Sequence, residues 1–205
     1  MNSESCPFGP SLERYWGRLS SEERRFSLDE EALYSLAIQE VALEISDAIL
    51  GESVVDAFCG AGGLSIAMAR RGKRVIAIDC SAERIRMARE NAMVFEVEGE
   101  IEFICGDALQ LVPALEADAI LLDPPWGGTG YGRQERFLLS DFQPDGAELL
   151  EAAFASFREV VMRLPKNFCF PEIERLGRSF RIQENRNRDE LLHYCVYFFQ
   201  QANGE

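Results

Sequence analysis

The stretch VVDAFCGAGG, residues 54–63, decides the fold of this chain. Its first half is a short apolar run of the kind that forms a buried strand in a parallel sheet. Its second half is a glycine-rich turn, and the residues that follow, 64–70, carry a helical pattern. A strand, a glycine-rich turn and a helix in this order are typical of the unit that opens an α/β sheet with a nucleotide-like ligand.

Further apolar runs alternate with helical patterns along the rest of the chain. We predict strands at 53–58, 74–79, 101–105, 119–122 and 160–164, and a terminal pair of strands at 180–183 and 193–199. Helices are predicted at 30–49 with Gly51 as its end, at 64–70, at 81–95 with Ser81 as its cap, and at 147–157. Strands separated by helices form βαβ units, so we predict an α/β fold with a doubly wound, mostly parallel seven-stranded sheet. Residues 1–50 are predicted to be a short helical N-terminal extension that packs on the active site, and 51–205 the α/β domain.

The composition limits what the chain can bind. Its 205 residues contain 21 Lys plus Arg and 35 Asp plus Glu, which is a net charge of −14, while hydrophobic residues make up 47% and suffice for a packed core. A grip on a long nucleic acid requires a basic surface. The charge therefore argues against an unaided binder of long RNA or DNA, whereas one nucleotide or one RNA end stays compatible with it.

Signals for targeting, membranes and metals are missing from the sequence. The start does not resemble a signal peptide, and no run approaches the roughly 18 apolar residues of a membrane span. The six cysteines never form a CxxC pair, which favours free thiols in a reducing compartment, nuclear or cytoplasmic. No metal site is predicted. His193 is the only histidine, and its strand-like context predicts a surface or edge position rather than a catalytic base.

Acidic residues follow the first three predicted strands. Asp56, Asp79 and Asp107 stand at strand ends, and ligands of doubly wound sheets bind at the carboxyl ends of strands. Each acid could instead cap a helix, an alternative that is stronger for one Asp than for three at consecutive strands. A dinucleotide and S-adenosylmethionine both fit such a site. Because a carboxylate at position 56 repels a pyrophosphate and attracts an ammonium and a sulfonium, the residues favour S-adenosylmethionine.

The segment Asp123-Pro124-Pro125-Trp126 follows the fourth predicted strand. Its prolines hold the chain extended and remove amide donors, so that it presents a carboxylate, free carbonyls and an indole. This set suits methylation of an exocyclic amino group: Asp123 and the Pro124 carbonyl would accept its hydrogens while Trp126 stacks on the base. A rigid turn with a half-buried Trp is the alternative without a function. We predict Asp123, Pro124, Pro125 and Trp126 as the catalytic residues.

Together these blocks resemble the trimethylguanosine synthases, which methylate N2 of the 7-methylguanosine cap of small nuclear and related RNAs. The resemblance covers about 28–167 and is carried by VVDAFCGAGG (54–63), RVIAID (74–79), ARENAMV (88–94), IEFICGD (101–107), PPWGG (124–128) with Tyr131, and LPKN (164–167). It implies the class I, Rossmann-like methyltransferase fold, S-adenosyl-L-methionine as cofactor and 7-methylguanosine-capped RNA as substrate. The product would be 2,7-dimethylguanosine, 2,2,7-trimethylguanosine or both.

The resemblance also implies roles for individual residues. Trp126 would stack on the cap guanine, Tyr131 and Lys166 would face the cap phosphates, and Asn167 would lie close by. The candidate cofactor residues are Ser35, Asp56, Phe58, Cys59, Gly60, Gly62, Asp79, Cys80, Asn91, Asp107 and Ala108. The 7-methylguanine ring is positively charged, and a cation on Trp gains about 0.5–2 kcal/mol. We expect a monomer that recognises an RNA end, makes little contact with the RNA body and is open to recruitment by another protein.

Asp123 departs from the family pattern, which usually has Ser before Pro-Pro-Trp. Asp-Pro-Pro-Trp is also the pattern of adenine-N6 methyltransferases. N6-adenine or N2-guanine methylation of internal bases in RNA or DNA is therefore the alternative activity, and a cap-binding scaffold is the non-enzymatic alternative. The distal basic residues match the family poorly, and Arg186 and Arg188 are only candidates for phosphate contacts.

Overall fold

A seven-stranded sheet with the order β3-β2-β1-β4-β5-β7-β6 forms the centre of the computed structural model, which describes residues 27–29, 36–127 and 134–200. The strands are β1 Ser53–Asp56, β2 Arg74–Asp79, β3 Ile101–Cys105, β4 Ala119–Leu122, β5 Glu159–Pro165, β6 Phe180–Asn187 and β7 Glu190–Phe199. Strands β1 to β5 are parallel, and β7 is inserted antiparallel between β5 and β6. The predicted doubly wound, mostly parallel α/β sheet is confirmed.

Helices connect the parallel strands. They are α1 Gln39–Ala48, α2 Gly63–Arg70, α3 Ala82–Val94, α4 Ala108–Leu111, α5 Gly146–Ser156 and α6 Pro171–Glu174. The hydroxyl of Ser81 accepts a hydrogen bond from the Arg84 amide and caps α3, as the sequence predicts. Asp145 caps α5 by accepting hydrogen bonds from the amides of Ala147 and Glu148.

The core lies on both faces of the sheet. In β4 all four side chains are buried, and they alternate between the two faces. Ala119 and Leu121 pack with residues of α1, α2 and α3, while Ile120 and Leu122 pack with residues of α5 and α6. This burial on both faces explains why β4 is apolar throughout and why its end is a rigid support for the segment that follows.

The predicted helix at 30–49 is wrong in its described part before Gln39. Ile38 has an extended backbone (φ −61°, ψ 137°), and α1 begins only after it. Leu36 and Ala37 are buried, so their helical spacing reflects packing on the core. Gly51 does not end this helix either: α1 ends at Ala48, and a Cβ on Gly51 would lie 2.6 Å from the Cβ of Asp118.

The rest of the predicted N-terminal extension, residues 1–26 and 30–35, lies outside the described residues. Its packing on the active site therefore stays a prediction. Across the described ranges, no helix combines the length and the hydropathy that crossing a lipid bilayer requires.

Candidate active site

Four neighbouring strands each lead to an aspartate at the same edge of the sheet. The order β3-β2-β1-β4 brings together Asp107, Asp79, Asp56 and Asp123, each of which ends or follows one of these strands. Parallel strands share their carboxyl edge, where doubly wound sheets bind ligands. The topology thus turns acids that are far apart in sequence into one row.

Asp56 ends β1 and is completely buried. Its Oδ2 accepts a 2.6 Å hydrogen bond from the hydroxyl of Ser65 in α2, while Oδ1 has no hydrogen-bond partner among the described residues. Burial raises the pKa of Asp56 to about 7, the Ser65 hydrogen bond opposes this shift, and the carboxylates of Asp123 and Asp79 add to it. Such a group either holds a proton near neutral pH or pairs with a cation that supplies the missing donor.

The glycine-rich turn between β1 and α2 contains two glycines with different surroundings. Gly62 has a φ of 90°, and a Cβ there would lie 3.1 Å from the Cα and Cβ of Ala88, so this glycine allows α3 to pack on the turn. Gly60 has a φ of 53°, and an added Cβ would meet no atom within 4 Å. Gly60, rather than Gly62, therefore borders open space in which a ligand can approach the backbone.

Asp79 ends β2 beside this open space. Its Oδ2 accepts a hydrogen bond from the Gly60 amide (3.1 Å), and its Oδ1 accepts one from the Ser81 amide (2.8 Å). These two bonds fix the carboxylate without using all of its lone pairs, since each oxygen can accept a second hydrogen bond. Cys80, the next residue, is exposed at the same rim.

Asp107 is exposed at the end of β3 and caps α4. Its Oδ1 accepts a hydrogen bond from the Leu109 amide at 2.9 Å, and Ala108 behind it is buried. From the sequence, a helix cap and a ligand contact were alternative roles for Asp107. The geometry leaves both open, because the capping carboxylate also faces solvent at the rim of the site.

Asn91 is buried in α3, and its side chain binds backbone groups. Its Nδ2 donates to the carbonyls of Ala61 (2.8 Å) and Ser27 (3.0 Å), and its Oδ1 accepts a hydrogen bond from the Ser27 amide. The residue thus ties the glycine-rich turn to the described segment 27–29, where Leu28 also packs against the cluster of Ala61 and Met87. These hydrogen bonds of the Asn91 side chain all join backbone groups, so they help to fix the shape of the turn.

Phe58 and Cys59 belong mainly to the core. Phe58 is half-buried and packs against the cluster below the turn. Cys59 is buried, and burial raises the pKa of its thiol well above the usual value, with Asp56 and Asp79 adding to the shift. The Cys59 thiol is therefore neutral and serves as an apolar side chain.

Asp123 follows β4 and forms an ion pair with Arg163 in the middle of β5. The Arg163 side chain is 7% exposed and that of Asp123 18%. Burial raises the pKa of Asp123, and the charge and hydrogen bond of Arg163 oppose this shift. Among the described residues Arg163 is the only partner of Asp123, and it engages Oδ2, which leaves Oδ1 for another donor.

Trp126 lies directly above this ion pair. The Cζ of Arg163 is over the indole, 5.5 Å from its ring centroid. The ring of His193 in β7 lies 6.1 Å from the indole at an angle of 54°. Pro124 between Asp123 and Trp126 is buried, whereas Pro125 is exposed. The predicted catalytic segment is thus held to β5 and β7 by the side chains of Arg163 and His193.

His193 was predicted at a surface or edge position, and that prediction is wrong. Strand β7 lies between β5 and β6, and His193 pairs with Pro165, so its side chain is only 4% exposed. Burial lowers the pKa of His193 well below its usual value, and the charge of Arg163 lowers it further. The imidazole is therefore neutral and packs beside Trp126.

The predicted phosphate-binding residues follow β5 at the same edge. Lys166 is exposed, and the Nδ2 of Asn167 donates to the Gln134 carbonyl at 2.9 Å. Tyr131 and Ser35 lie outside the described residues. The β6–β7 hairpin also reaches this edge, because the start of β7 pairs with the end of β5, and its exposed Arg188 adds a positive charge there.

Comparisons with known proteins identify the family. A family described as RNA cap guanine-N2 methyltransferase matches residues 51–203. The chain belongs to this family. It is 30% identical to the trimethylguanosine synthase of Schizosaccharomyces pombe, an alignment that covers 84% of this chain and 78% of that protein. It is also 30% identical to the trimethylguanosine synthase of Saccharomyces cerevisiae, over 62% of this chain and 43% of that protein.

Solved structures agree on the fold of this cap methyltransferase family member. A Porphyromonas gingivalis W83 protein assigned to the methyltransferases superimposes with a TM-score of 0.72 at 20% identity, covering 94% of this chain and 48% of that one. Cofactor-bound Rv0187 from MTB has a TM-score of 0.61 at 14% identity, covering 94% and 91%. The sheet is therefore that of the Rossmann-like methyltransferases.

Membership of the methyltransferase family implies S-adenosylmethionine as the cofactor, and the carboxylates and the open glycine turn at this edge fit it. The buried Oδ1 of Asp56 lacks a donor, Gly60 borders open space, and Asp79 and Asp107 stand at its rim. Within the described part of the chain, no group of three or more His, Cys, Asp or Glu side chains could hold a metal ion.

Two residues that shape the site were missed in the sequence. Ser65 is the hydrogen-bond partner of Asp56, and no spacing rule singled it out in α2. Arg163 had a visible signal, because it is a charged residue inside the apolar run 160–164 that was predicted to be a strand. A charged side chain in a buried strand requires a partner, and that requirement predicts a second charge nearby.

Proposed function

We propose that this protein transfers a methyl group from S-adenosyl-L-methionine to the exocyclic N2 of 7-methylguanosine at the 5′ cap of RNA. The product would be 2,7-dimethylguanosine, 2,2,7-trimethylguanosine or both. The observation that supports this most strongly is the half-buried Trp126 beside Asp123, one strand from Asp56, in a chain of the cap guanine-N2 methyltransferase family.

The cofactor would lie along the row of acids. The orphaned Oδ1 of Asp56 would balance the positive charge of the cofactor, and the carboxylate of Asp79 would accept the ribose hydroxyls beside Gly60. Asp107 would accept a hydrogen bond from the adenine amino group. When bound, S-adenosylmethionine supplies an electrophilic methyl group on a sulfonium.

The base would stack on Trp126. An exocyclic amino nitrogen is a poor nucleophile because its lone pair is delocalised into the ring. Acceptance of its hydrogens by Asp123 Oδ1 and the Pro124 carbonyl would favour a pyramidal nitrogen and aim its lone pair. Position and charge supply most of this effect, and a strong base is not needed before transfer.

The cap phosphates would extend towards the ends of β5 and the β6–β7 hairpin. Lys166 is exposed there, and Arg188 lies in the hairpin turn. These few cations suit a triphosphate, whereas the net charge of −14 disfavours contact with the RNA body. We therefore propose recognition of an RNA end by a monomer, with any choice among RNAs made by a partner protein.

A second candidate function is methylation of an amino group on an internal base, N6 of adenine or N2 of guanine. Asp123 supports it, since Asp-Pro-Pro-Trp is also an adenine-N6 methyltransferase pattern. A partial relative is named without reference to a cap: an uncharacterized RNA methyltransferase of Gloeobacter violaceus is 37% identical over 40% of this chain and 18% of that protein.

One assay separates these functions. Radiolabelled S-adenosylmethionine is offered with 7-methyl-GTP, GTP or an uncapped oligonucleotide, and the methylated nucleosides are identified by mass spectrometry. We expect transfer to 7-methyl-GTP at N2. Transfer to GTP or the oligonucleotide alone would reject the cap proposal, and cofactor binding with no transfer at all would favour a cap-binding scaffold.

A further inference from the structure

The ion pair below Trp126 gives this site a feature beyond the stacking surface itself. The Cζ of Arg163 lies over the indole, 5.5 Å from its ring centroid. A base that stacks on the opposite face of Trp126 would lie across the ring from the guanidinium. Arg163 is buried and carries a full positive charge. Among the described residues, Asp123 is the only one that forms an ion pair with Arg163, and its carboxylate balances the charge of the guanidinium.

We propose that the Asp123–Arg163 pair sets the preference of the site for a positively charged base, with Arg163 as a positioning residue that acts through Asp123 and Trp126. The inference rests on the proposed function, because it concerns the base that this function places on Trp126. It assigns a role to Arg163, and it explains how an aspartate can occupy the position before Pro-Pro-Trp.

The physical basis is the sum of charges behind the stacking ring. With both partners present the pair is neutral, and a cationic ring can stack on Trp126 with its cation–π gain intact. If Asp123 loses its charge, the buried Arg163 repels a cationic base across the indole. If Arg163 loses its charge, Asp123 attracts that base. At separations of about 10 Å in a partly buried site, one uncompensated charge changes affinity by about tenfold.

His193 does not disturb this balance. Burial and Arg163 keep its imidazole neutral, so it contributes no charge beside Trp126. Among the described residues, the carboxylate of Asp56 interacts with that of Asp123, and Asp56 is present in every variant compared below. Differences between variants therefore report on Asp123 and Arg163.

The test measures affinity rather than methyl transfer. The chain has two tryptophans, so a Trp16→Phe background leaves Trp126 as the only emitter. Quenching of its fluorescence gives dissociation constants for 7-methyl-GTP, which is cationic, and for GTP, which is neutral in its base. The ratio of the GTP constant to the 7-methyl-GTP constant is compared in the reference protein, Asp123→Asn, Arg163→Met and the double variant.

In Asp123→Asn we expect this ratio to fall at least about fivefold, because one buried charge is then left uncompensated. It should rise in Arg163→Met and return to within about twofold of the reference in the double variant, which carries no charge at either position. Mere structural damage would lower both affinities and move the two single variants in the same direction. The proposal would be overturned if the ratio moved in the same direction in the two single variants. It would also be overturned if the ratio were unchanged in both single variants, or if neither nucleotide quenched the fluorescence of Trp126.

The double variant also serves as the fold control, because it leaves no unpaired buried charge. If one single variant fails to fold, the other still decides, because the ratio must fall in Asp123→Asn and rise in Arg163→Met. Arg163→Lys keeps the charge and should keep the ratio within about twofold of the reference. Failure of the proposed function has a different signature. The reference protein would then show no transfer to 7-methyl-GTP, whatever the quenching ratios are.

Discussion

Arg163 in the middle of β5 forms a buried ion pair with Asp123 at the end of β4, directly below the indole of Trp126. The pair joins two neighbouring parallel strands at the edge where the acids are lined up. It also determines the first expectation about stability.

Replacement of Arg163 by Met should lower the free energy of unfolding by about 3–5 kcal/mol, because it leaves the Asp123 carboxylate buried without its partner. The double variant with Asp123→Asn should lose less than the sum of the two single variants. Urea unfolding of all four proteins measures this coupling. Arg86→Met, which removes an exposed arginine paired with Glu83 and Glu90, should change the unfolding curve little. Additive losses would show that the two side chains do not interact.

Replacement of Trp126 by Ala should abolish transfer to the cap nucleotide, with kcat/KM reduced at least about 100-fold, since base stacking on an aromatic contributes about 1–3 kcal/mol and also orients the base. Trp126→Phe keeps an aromatic face and should retain more activity. The dissociation constant of S-adenosylmethionine, measured by calorimetry, should stay within about twofold in both. An active alanine variant would refute the stacking role.

The stability of the free protein should fall between about pH 4 and pH 7 because of Asp56. Its pKa in the folded protein is about 7, above the ordinary 3.8, so the folded state holds the proton more tightly than the unfolded state. The loss in the free energy of unfolding reaches about 4 kcal/mol once the pH exceeds the pKa of Asp56 in the folded protein. Asp56→Asn should remove that part of the pH dependence in urea unfolding curves, and Glu102→Gln, at an exposed position, should not. Parallel pH profiles of the native protein and Asp56→Asn would contradict this.

Binding of S-adenosylmethionine should strengthen as Asp56 loses its proton. Between pH 5.5 and pH 7 the amino group of the cofactor stays protonated, so a pKa of about 7 for Asp56 predicts roughly tenfold tighter binding at the upper value. Calorimetric titrations at several pH values measure this slope. The slope should vanish in Asp56→Asn, and a slope that persists there would assign the effect to another group.

Replacement of Asn91 by Ala should destabilise the fold by about 2–4 kcal/mol, because it leaves the Ala61 and Ser27 backbone groups without their buried partner. Asn91→Asp keeps the shape and one acceptor but cannot donate, so it should be destabilised as well. Affinity for S-adenosylmethionine should fall with the loss of order in the glycine-rich turn. Unfolding curves and cofactor titrations measure the two effects, and an Ala variant as stable as the native protein would rule out this tether.

Much of the sheet could be predicted from short-range patterns. Strands β2, β3 and β4 have the predicted bounds. In β4 the reason is complete burial, which makes the strand an uninterrupted apolar run. Strands β2 and β3 are only partly buried, but each is a short, mostly apolar run between loop residues. The helix predicted at 30–49 was wrong before Gln39. Leu36 is apolar because it is buried in the core, and an apolar residue at that position does not distinguish a helix from an extended chain packed on the core.

The sequence alone determined that this chain builds a parallel α/β sheet, with acids at the edge that would bind the cofactor and a loop that carries Trp126. The decisive segments are 54–63 and 123–126, together with the spacing of the acids between them. Such features depend on neighbours in the chain, which the sequence lists in order. Tertiary structure alone decided that Arg163 neutralises Asp123, that His193 is buried beside Trp126, and that Asp56 keeps a proton to about pH 7. Each of these properties depends on burial and on charges brought together by strands far apart in sequence, and no local pattern encodes those distances.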